Sequence, residues 1–151
     1  MSNALLIIDP QNDFSHPNGS LYVPGAKEDC GRLAEFIEKN SDKINSIQIT
    51  LDSHPSYHIA HPYFWVDENG NNPAPYTIIT HLDYVKGLYK PVDSNLDKKV
   101  EEYILSLENR GKYNLCIWPP HCLTATWGYC VEDQIWNAVH KWELSKFGTN
   151  V

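Results

Sequence analysis

The feature that most constrains the fold is a short apolar run that stops at a carboxylate: Ala4-Leu5-Leu6-Ile7-Ile8 directly precedes Asp9. An apolar run of this length, without polar alternation, is typical of a strand buried on both faces of a parallel sheet. A second strand-like segment, residues 46–51, ends in the same way at Asp52. Because ligands bind beyond the carboxyl ends of parallel strands, both carboxylates are predicted to lie at the functional edge of a sheet.

Helical patterns alternate with these strands. Apolar residues recur at helical spacing within residues 26–40, 96–107 and 131–142, and Leu115-Cys116-Ile117-Trp118 has the character of a third strand. The order is therefore strand, helix, strand, loop, helix, strand, helix. This order predicts an α/β chain with a doubly wound, Rossmann-like parallel sheet flanked by helices.

The number of strands falls short of a complete sheet of this kind. Three strands are legible, whereas open sheets usually contain about five or six. No repeat or linker divides residues 1–151, so they are interpreted as a single domain, the amino-terminal portion of one that is cut short after Val151. Residues 53–93 show no sustained period and are predicted to form a long loop, which in compact domains is usually functional or disordered.

Charge and hydropathy exclude several classes of partner. Nineteen acidic against twelve basic residues give a net charge of −7, which opposes binding to nucleic acid and to anionic membranes. No apolar run approaches the roughly 20 residues of a membrane span, and no signal peptide is visible. A cytoplasmic protein with reduced cysteines is expected. A homo-oligomer is common in folds of this kind, but no motif indicates one.

The sharpest chemical constellation is formed by Asp52, His54 and His121. A carboxylate and an imidazole two residues apart at one strand's end, with a second imidazole after another strand, suit a catalytic metal with open positions. His58 and His61 lie nearby in the sequence and can add a fourth ligand or a supporting hydrogen bond. The alternative is that each histidine is only a surface or turn residue of a Pro-rich loop.

Other candidates leave two interpretations open. Asp9 can be a general base, or it can cap its loop by accepting backbone hydrogen bonds. Phe14 and Trp118 can stack on a flat ring, or they can belong to the core. Cys122 and Cys130 can be nucleophiles, although a buried free thiol is the commoner case.

Several motifs resemble a known family. Asp9-Pro10-Gln11-Asn12-Asp13-Phe14, followed by Gly19-Ser20-Leu21, resembles the opening of the isochorismatase-like cysteine hydrolases. The metal signature of the nicotinamidase and pyrazinamidase branch resembles Asp52-Ser53-His54-Pro55-Ser56-Tyr57-His58 together with Trp118-Pro119-Pro120-His121-Cys122. Thr126-Trp127-Gly128 is also similar to that branch. The resemblance runs along nearly the whole chain and implies an isochorismatase-like hydrolase fold.

The resemblance implies a role for each matched residue. Asp9 matches the catalytic aspartate, which takes a proton from a cysteine nucleophile and passes it to the leaving ammonia. Asp52, His54 and His121 match the metal ligands, and His58 matches a position that is a ligand in some members and a neighbour in others.

The same resemblance implies a substrate and a cofactor. Phe14 and Trp118 match residues that hold the substrate ring. One divalent metal ion, zinc before iron or manganese, binds the pyridine nitrogen of that ring. The implied function is metal-dependent deamination of nicotinamide, or of a related small aromatic amide such as pyrazinamide, to the acid and ammonia through a cysteine thioester, in NAD salvage.

The chain departs from the family pattern after His121. The family's catalytic Lys, usually followed by Gly, and its catalytic Cys should both follow, but neither Lys141 nor Lys146 precedes a Gly, and Cys130 lacks the expected strand before it. Two alternatives therefore stay open. One is a non-catalytic protein that binds a metal and a nicotinamide-like ligand, and the other is a hydrolase of the same fold that acts on another small amide.

Overall fold

A computed structural model describes residues 2–111 and 113–147 of the chain. It divides the chain into two compact units: unit 1 comprises Met1–Ser53 and His121–Val151, and unit 2 comprises His54–Pro120. Val151, after which the domain is predicted to continue, lies outside the described residues. Among those residues, no helix combines the length and the apolar character needed to cross a membrane.

The helices and strands alternate along the chain much as the periodicity predicts. In chain order they are β1 (Ala4–Ile7), α1 (Asn12–Ser15), α2 (Ala26–Lys39), β2 (Ser46–Ile49), β3 (Trp65–Asp67), β4 (Ile78–Ile79), α3 (His81–Val85), β5 (Tyr89–Pro91), α4 (Asp97–Asn109), β6 (Leu115–Cys116) and α5 (Asp133–Phe147). Short 3₁₀ helices occupy Pro62–Phe64 and Ser94–Leu96. The three predicted long helices correspond to α2, α4 and α5.

Unit 1 contains a parallel ladder covered by helices. β1 pairs with β2 in parallel, from Ala4 opposite Ser46 to Ile7 opposite Ile49, so both strands end at the same edge, as predicted. The core of this unit joins strand residues to apolar side chains of α2 and α5, and its buried members are Ile7, Cys30, Ile37, Ile44, Ile135, Ala138, Val139 and Trp142.

The prediction that β1 is buried on both faces is wrong for the described residues. Ile7 is buried against the helices, whereas Leu6 is 57% exposed and Ile8 is 69% exposed. Successive side chains of a strand point to opposite faces, and α2 and α5 pack on the face that carries Ile7. The continuous apolar run therefore supplies one covered face and one open face.

An ion pair between the buried Glu132 and the partly exposed Lys27 fixes the start of α5. Glu132 accepts hydrogen bonds from the backbone N–H of Gln134 at 2.8 Å and from the Lys27 ammonium of α2. Burial alone would raise the pKa of Glu132, but the hydrogen bonds from Lys27 and Gln134 outweigh it and hold the pKa below its usual value. A carboxylate at this position stabilises the helix N-terminus and ties α5 to α2.

Unit 2 is built from short antiparallel pairs around a second core. β3 pairs with β5, with Trp65 opposite Pro91, and β4 pairs with β6, with Ile79 opposite Leu115. Residues from these strands and from α4 fill the core, whose buried members are Phe64, Trp65, Ile79, Val100, Ile104, Leu115 and Ile117.

The structure corrects two expectations about unit 2. The third predicted strand is present as β6, but it pairs antiparallel with β4 rather than joining a parallel sheet. The segment predicted as a long loop, residues 53–93, contains β3, β4, β5 and α3. Strands of two or three residues are too short to produce a recognisable period, which explains why the sequence pattern does not reveal them.

Candidate metal site

Two of the predicted ligands lie side by side in unit 1. His121 Nε2 is 3.3 Å from Asp52 Oδ2, and His121 is buried. A tetrahedral ion with metal–ligand bonds of about 2.0–2.1 Å separates neighbouring ligand atoms by about 3.3 Å. This carboxylate oxygen and this imidazole nitrogen are therefore spaced to bind one divalent ion, and the donor types suit zinc, iron or manganese.

The backbone of Asp52 is held by a buried glutamine. The Gln11 side chain donates from Nε2 to the carbonyl oxygen of Asp52 at 2.8 Å, and its Oε1 accepts from the Asp52 N–H at 2.7 Å. Nε2 also donates to the carbonyl oxygen of Tyr129 at 3.0 Å. One side-chain amide thus satisfies both backbone groups of the candidate ligand and fixes its position at the strand end.

The backbone next to His121 is held by a buried carboxylate. Asp13 Oδ2 accepts from the Cys122 N–H at 2.7 Å, while Oδ1 accepts from the N–H and the hydroxyl of Ser20 at 3.0 and 2.8 Å. Burial alone would raise the pKa of Asp13, but these hydrogen bonds and the nearby His121 lower it below its usual value. The carboxylate therefore remains ionised at neutral pH.

A glycine makes room for this carboxylate. A Cβ atom added to Gly128 would lie 2.1 Å from Asp13 Oδ2, far inside van der Waals contact. The backbone of the same loop is also held by Asn12, whose side-chain amide donates to the carbonyl oxygen of Trp127 at 2.9 Å. The Gly of the Thr-Trp-Gly motif is thus required by the close approach of a charged side chain.

Sequence reasoning assigned no role to Gln11 or Asp13. The signal that marks them is the run Asp9-Pro10-Gln11-Asn12-Asp13 itself, in which polar residues directly follow a strand and yet are mostly buried. Buried polar side chains need hydrogen-bond partners, so such a run predicts contacts with remote backbone. The partners themselves are not visible in the sequence.

Asp9 lies at the carboxyl end of β1, as predicted. Its backbone has a positive φ of 48°, a sparsely populated conformation for a residue other than glycine. The Thr50 hydroxyl donates to Asp9 Oδ1 at 2.6 Å, and the Asp9 N–H donates to the carbonyl oxygen of Thr50 at 3.2 Å. Its partly buried carboxylate is therefore held in a defined orientation.

The two predicted ring-binding residues have different surroundings. In unit 1, the Phe14 ring lies with its centroid 5.5 Å from that of His121, tilted by 60°. In unit 2, Trp118 is 40% exposed, and Tyr76 contacts its ring in a T-shaped arrangement at 5.9 Å. Phe14 thus adjoins a candidate metal ligand, and Trp118 offers an aromatic surface to solvent.

Three imidazoles of unit 2 form a compact group, which we call the histidine cluster: His54, His58 and His61. The ring centroids of His54 and His58 are 4.3 Å apart, and His61 lies 5.1 Å from each of the other two. His61 is fully buried, whereas His54 and His58 are partly exposed. A ring nitrogen of His54 and one of His61 lie within 4.8 Å of each other, close enough for the two imidazoles to bind one divalent metal.

The two cysteines considered as nucleophiles differ sharply. Cys122 is fully buried, and its burial, reinforced by the charges of Asp52, Asp13 and Asp9, raises its pKa to about 12. A thiol with this pKa stays protonated at neutral pH, which is the opposite of what a nucleophile requires. Cys130 is exposed, so the expectation of a buried thiol holds for Cys122 alone.

Comparisons with known proteins identify relatives of the chain. No family model matches it. A nicotinamidase from Saccharomyces cerevisiae is 30% identical over 135 residues, which are 89% of this chain and 50% of that protein. The solved structure of the yeast nicotinamidase matches with a TM-score of 0.58 and 27% identity, over 91% of this chain and 52% of that one.

A bacterial structure shares the fold at lower identity. The nicotinamidase/pyrazinamidase from Bacillus subtilis matches with a TM-score of 0.51 and 18% identity, over 97% of this chain and 52% of that one. The α/β fold predicted from the sequence is thereby confirmed. The chain spans about half the length of the curated relative that it matches.

Proposed function

We propose that the chain belongs to the nicotinamidase and pyrazinamidase branch of the isochorismatase-like hydrolases and functions in metal-dependent hydrolysis of nicotinamide or a similar aromatic amide, as its similarity to a yeast nicotinamidase suggests. The products are the corresponding acid and ammonia, and the reaction belongs to NAD salvage. The observation that carries this proposal is the pair formed by Asp52 and His121 at 3.3 Å, the spacing that one metal ion requires.

The proposed metal ligands are Asp52, His54 and His121, with His58 as an alternative fourth ligand. Two observations support this assignment: Asp52 and His121 lie 3.3 Å apart, and His54 and His58 belong to the histidine cluster. A bound divalent ion, for which zinc is the first candidate, would act as a Lewis acid toward the ring nitrogen of the substrate. Gln11 and Asp13 position the backbone at Asp52 and beside His121.

Asp9 is the proposed proton carrier. Its carboxylate is held by the Thr50 hydroxyl at the edge where β1 and β2 end, so it can accept a proton from a nucleophile and deliver it to departing ammonia. Cys122 keeps its own proton, and Cys130 matches no nucleophile position of the family. Among the described residues we therefore assign the base of the proposed thioester chemistry and leave its thiol unassigned.

Phe14 and Trp118 are the proposed ring contacts. The yeast nicotinamidase has also been solved with the inhibitor nicotinaldehyde, an aldehyde built on the same pyridine ring as nicotinamide. A flat heteroaromatic ring stacks well on exposed aromatic side chains, and Trp118 is 40% exposed. These features favour an aromatic amide as the substrate class.

The test is ammonia release from nicotinamide by the full chain loaded with zinc. Asp9→Ala is expected to lower the rate by at least about a hundredfold, which is the rate enhancement that a general base usually contributes. Asp42→Ala, at an exposed position, is the control and should leave the rate unchanged. His54→Ala is expected to lower both the rate and the metal content. Release that survives Asp9→Ala would contradict the proposed role of Asp9.

A second candidate, a non-catalytic protein that binds metal and a nicotinamide-like ligand, is favoured by the full burial of Cys122, which keeps this thiol away from a substrate. Nicotinamide binding measured by calorimetry, without ammonia release under any metal, would establish it. A third candidate function is hydrolysis of a different small amide by the same fold. Ammonia release from an aliphatic amide, with none from nicotinamide or pyrazinamide, would establish it.

A further inference from the structure

The histidine cluster contains an imidazole that the ligand set proposed above does not use. We propose that His61, in place of the alternative His58, is the additional metal ligand and binds the ion together with His54, while His58 supports the turn that carries His61. This inference rests on the proposed function, because the ion is the one proposed there. It adds one residue of unit 2 to the proposed ligands.

The ring separations favour His61. The centroid of a metal-bound imidazole lies about 3.2 Å from the ion, so two such rings on a tetrahedral ion have centroids about 5.2 Å apart. His61 lies 5.1 Å from His54 and 5.1 Å from His58, whereas His54 and His58 are only 4.3 Å apart. Both separations that fit shared ligation include His61.

The orientation of the rings agrees with this assignment. The planes of His54 and His61 are inclined by 70°, and a ring nitrogen of one lies within 4.8 Å of a ring nitrogen of the other. Each nitrogen can therefore reach a common ion after a small adjustment. Full burial of His61 also reduces the competition of bulk water for the ion, which strengthens binding at such a position.

The hydrogen bonding of His58 argues against it as the partner of His61. His58 Nδ1 accepts from the Ala60 N–H at 3.2 Å, so the proton of its neutral ring is placed on Nε2. A protonated ring nitrogen has no lone pair for a metal. The carbonyl oxygen of His58 also accepts from the His61 N–H at 2.9 Å, which closes the turn beneath His61.

The experiment compares two matched substitutions in the same cluster, His61→Gln and His58→Gln, in the full chain. Zinc affinity is measured by competition with a chromophoric chelator, and the visible absorption of the cobalt-loaded protein reports the ligand set. His61→Gln is expected to weaken zinc binding more than about a hundredfold and to change the cobalt spectrum. His58→Gln is expected to cost no more than about tenfold, the effect of losing a supporting contact.

A third variant separates ligation from folding. His61→Cys replaces the imidazole by a thiolate, and a thiolate bound to cobalt produces a charge-transfer band in the near ultraviolet. The band is expected in His61→Cys and absent from the unsubstituted chain, which shows that residue 61 contacts the ion even if His61→Gln folds poorly. Circular dichroism records the folded state of each variant.

The outcomes distinguish this inference from the proposed function. Tight zinc binding by the unsubstituted chain, with unchanged affinity in His61→Gln and no new band in His61→Cys, would overturn the role of His61 and leave the metal proposal standing. Loss of binding in His58→Gln alone would also overturn it. Absence of zinc or cobalt binding by the unsubstituted chain would overturn both proposals.

Discussion

The two units hold their candidate ligands by different means. In unit 1, Gln11 fixes the backbone of Asp52 from 41 positions away, and Asp13 fixes the backbone of Cys122, beside His121, from 109 positions away. In unit 2, the histidine cluster lies within residues 54–61 and is closed by local turn hydrogen bonds. The candidate ligands of unit 1 thus depend on the folding of that whole unit, and those of unit 2 depend on a few neighbouring residues.

The largest expected effect in this comparison comes from Asp13→Ala. The substitution leaves the buried Cys122 N–H without its acceptor and removes both contacts to Ser20, so the free energy of unfolding should fall by about 3 kcal/mol or more. Zinc affinity should fall with it. Urea unfolding and chelator competition are the measurements.

Asp67→Ala is the matched control for that substitution. Asp67 also accepts two backbone N–H groups, from Asn69 and Asn71, but these lie in its own exposed turn in unit 2. A smaller loss of stability and no change in zinc affinity are expected. Equal losses for the two variants would contradict the distinction between long-range and local support.

Gln11→Ala should have the next largest effect. It leaves the N–H and the carbonyl oxygen of Asp52 without their side-chain partner, which should cost about 2 kcal/mol of unfolding free energy and about tenfold to a hundredfold in zinc affinity. Gln48→Ala, at an exposed position of β2, serves as the control and should change neither quantity. Unchanged zinc affinity in Gln11→Ala would show that Asp52 is positioned by other contacts.

A smaller, pH-dependent effect is expected at Glu132. Because the pKa of Glu132 is lowered in the folded protein, its contribution to stability is present above its ordinary pKa of 4.5 and is lost as the pH falls through the lower, folded-state value. Glu132→Gln should therefore be less stable than the unsubstituted chain at neutral pH, and the difference should shrink below about pH 4.5. Thermal unfolding between pH 3 and 7 measures it, with the exposed Glu143→Gln as the control. A difference that stays constant over this range would exclude the Lys27 pair as its source.

The last prediction concerns the reactivity of the cysteine thiols. It comes last because labelling changes no backbone contact until a thiol has reacted. Iodoacetamide at neutral pH should label the exposed Cys130 first and Cys122 last, since Cys122 is fully buried and has a pKa raised to about 12. Mass spectrometry of digests over time gives the order, and Cys130→Ser removes the first site. Labelling of Cys122 at the rate of Cys130 would show that this part of unit 1 opens readily.

Much of the architecture follows from local patterns. The 3.6-residue period of apolar side chains located α2, α4 and α5, short apolar runs located β1 and β6, and alternation of polar and apolar residues located β2. The placement of Asp9 and Asp52 after strands predicted the shared edge at which both now lie. Asp52 and His121, which lie 3.3 Å apart, were grouped because both residues carry donor types that one metal accepts, and a metal shared by them stays a prediction.

What the sequence by itself determined is therefore the conformation of the long helices and of β1, β2 and β6, together with the chemical types of the candidate ligands. Only the tertiary structure decided that β6 pairs with β4, that Leu6 stays exposed, and that Gln11 and Asp13 hold the backbone at Asp52 and Cys122. The physical reason is the range of the interactions. Periodicity and capping act within one or two turns of chain, whereas a buried amide or carboxylate finds its partner among all the backbone groups that folding brings near it.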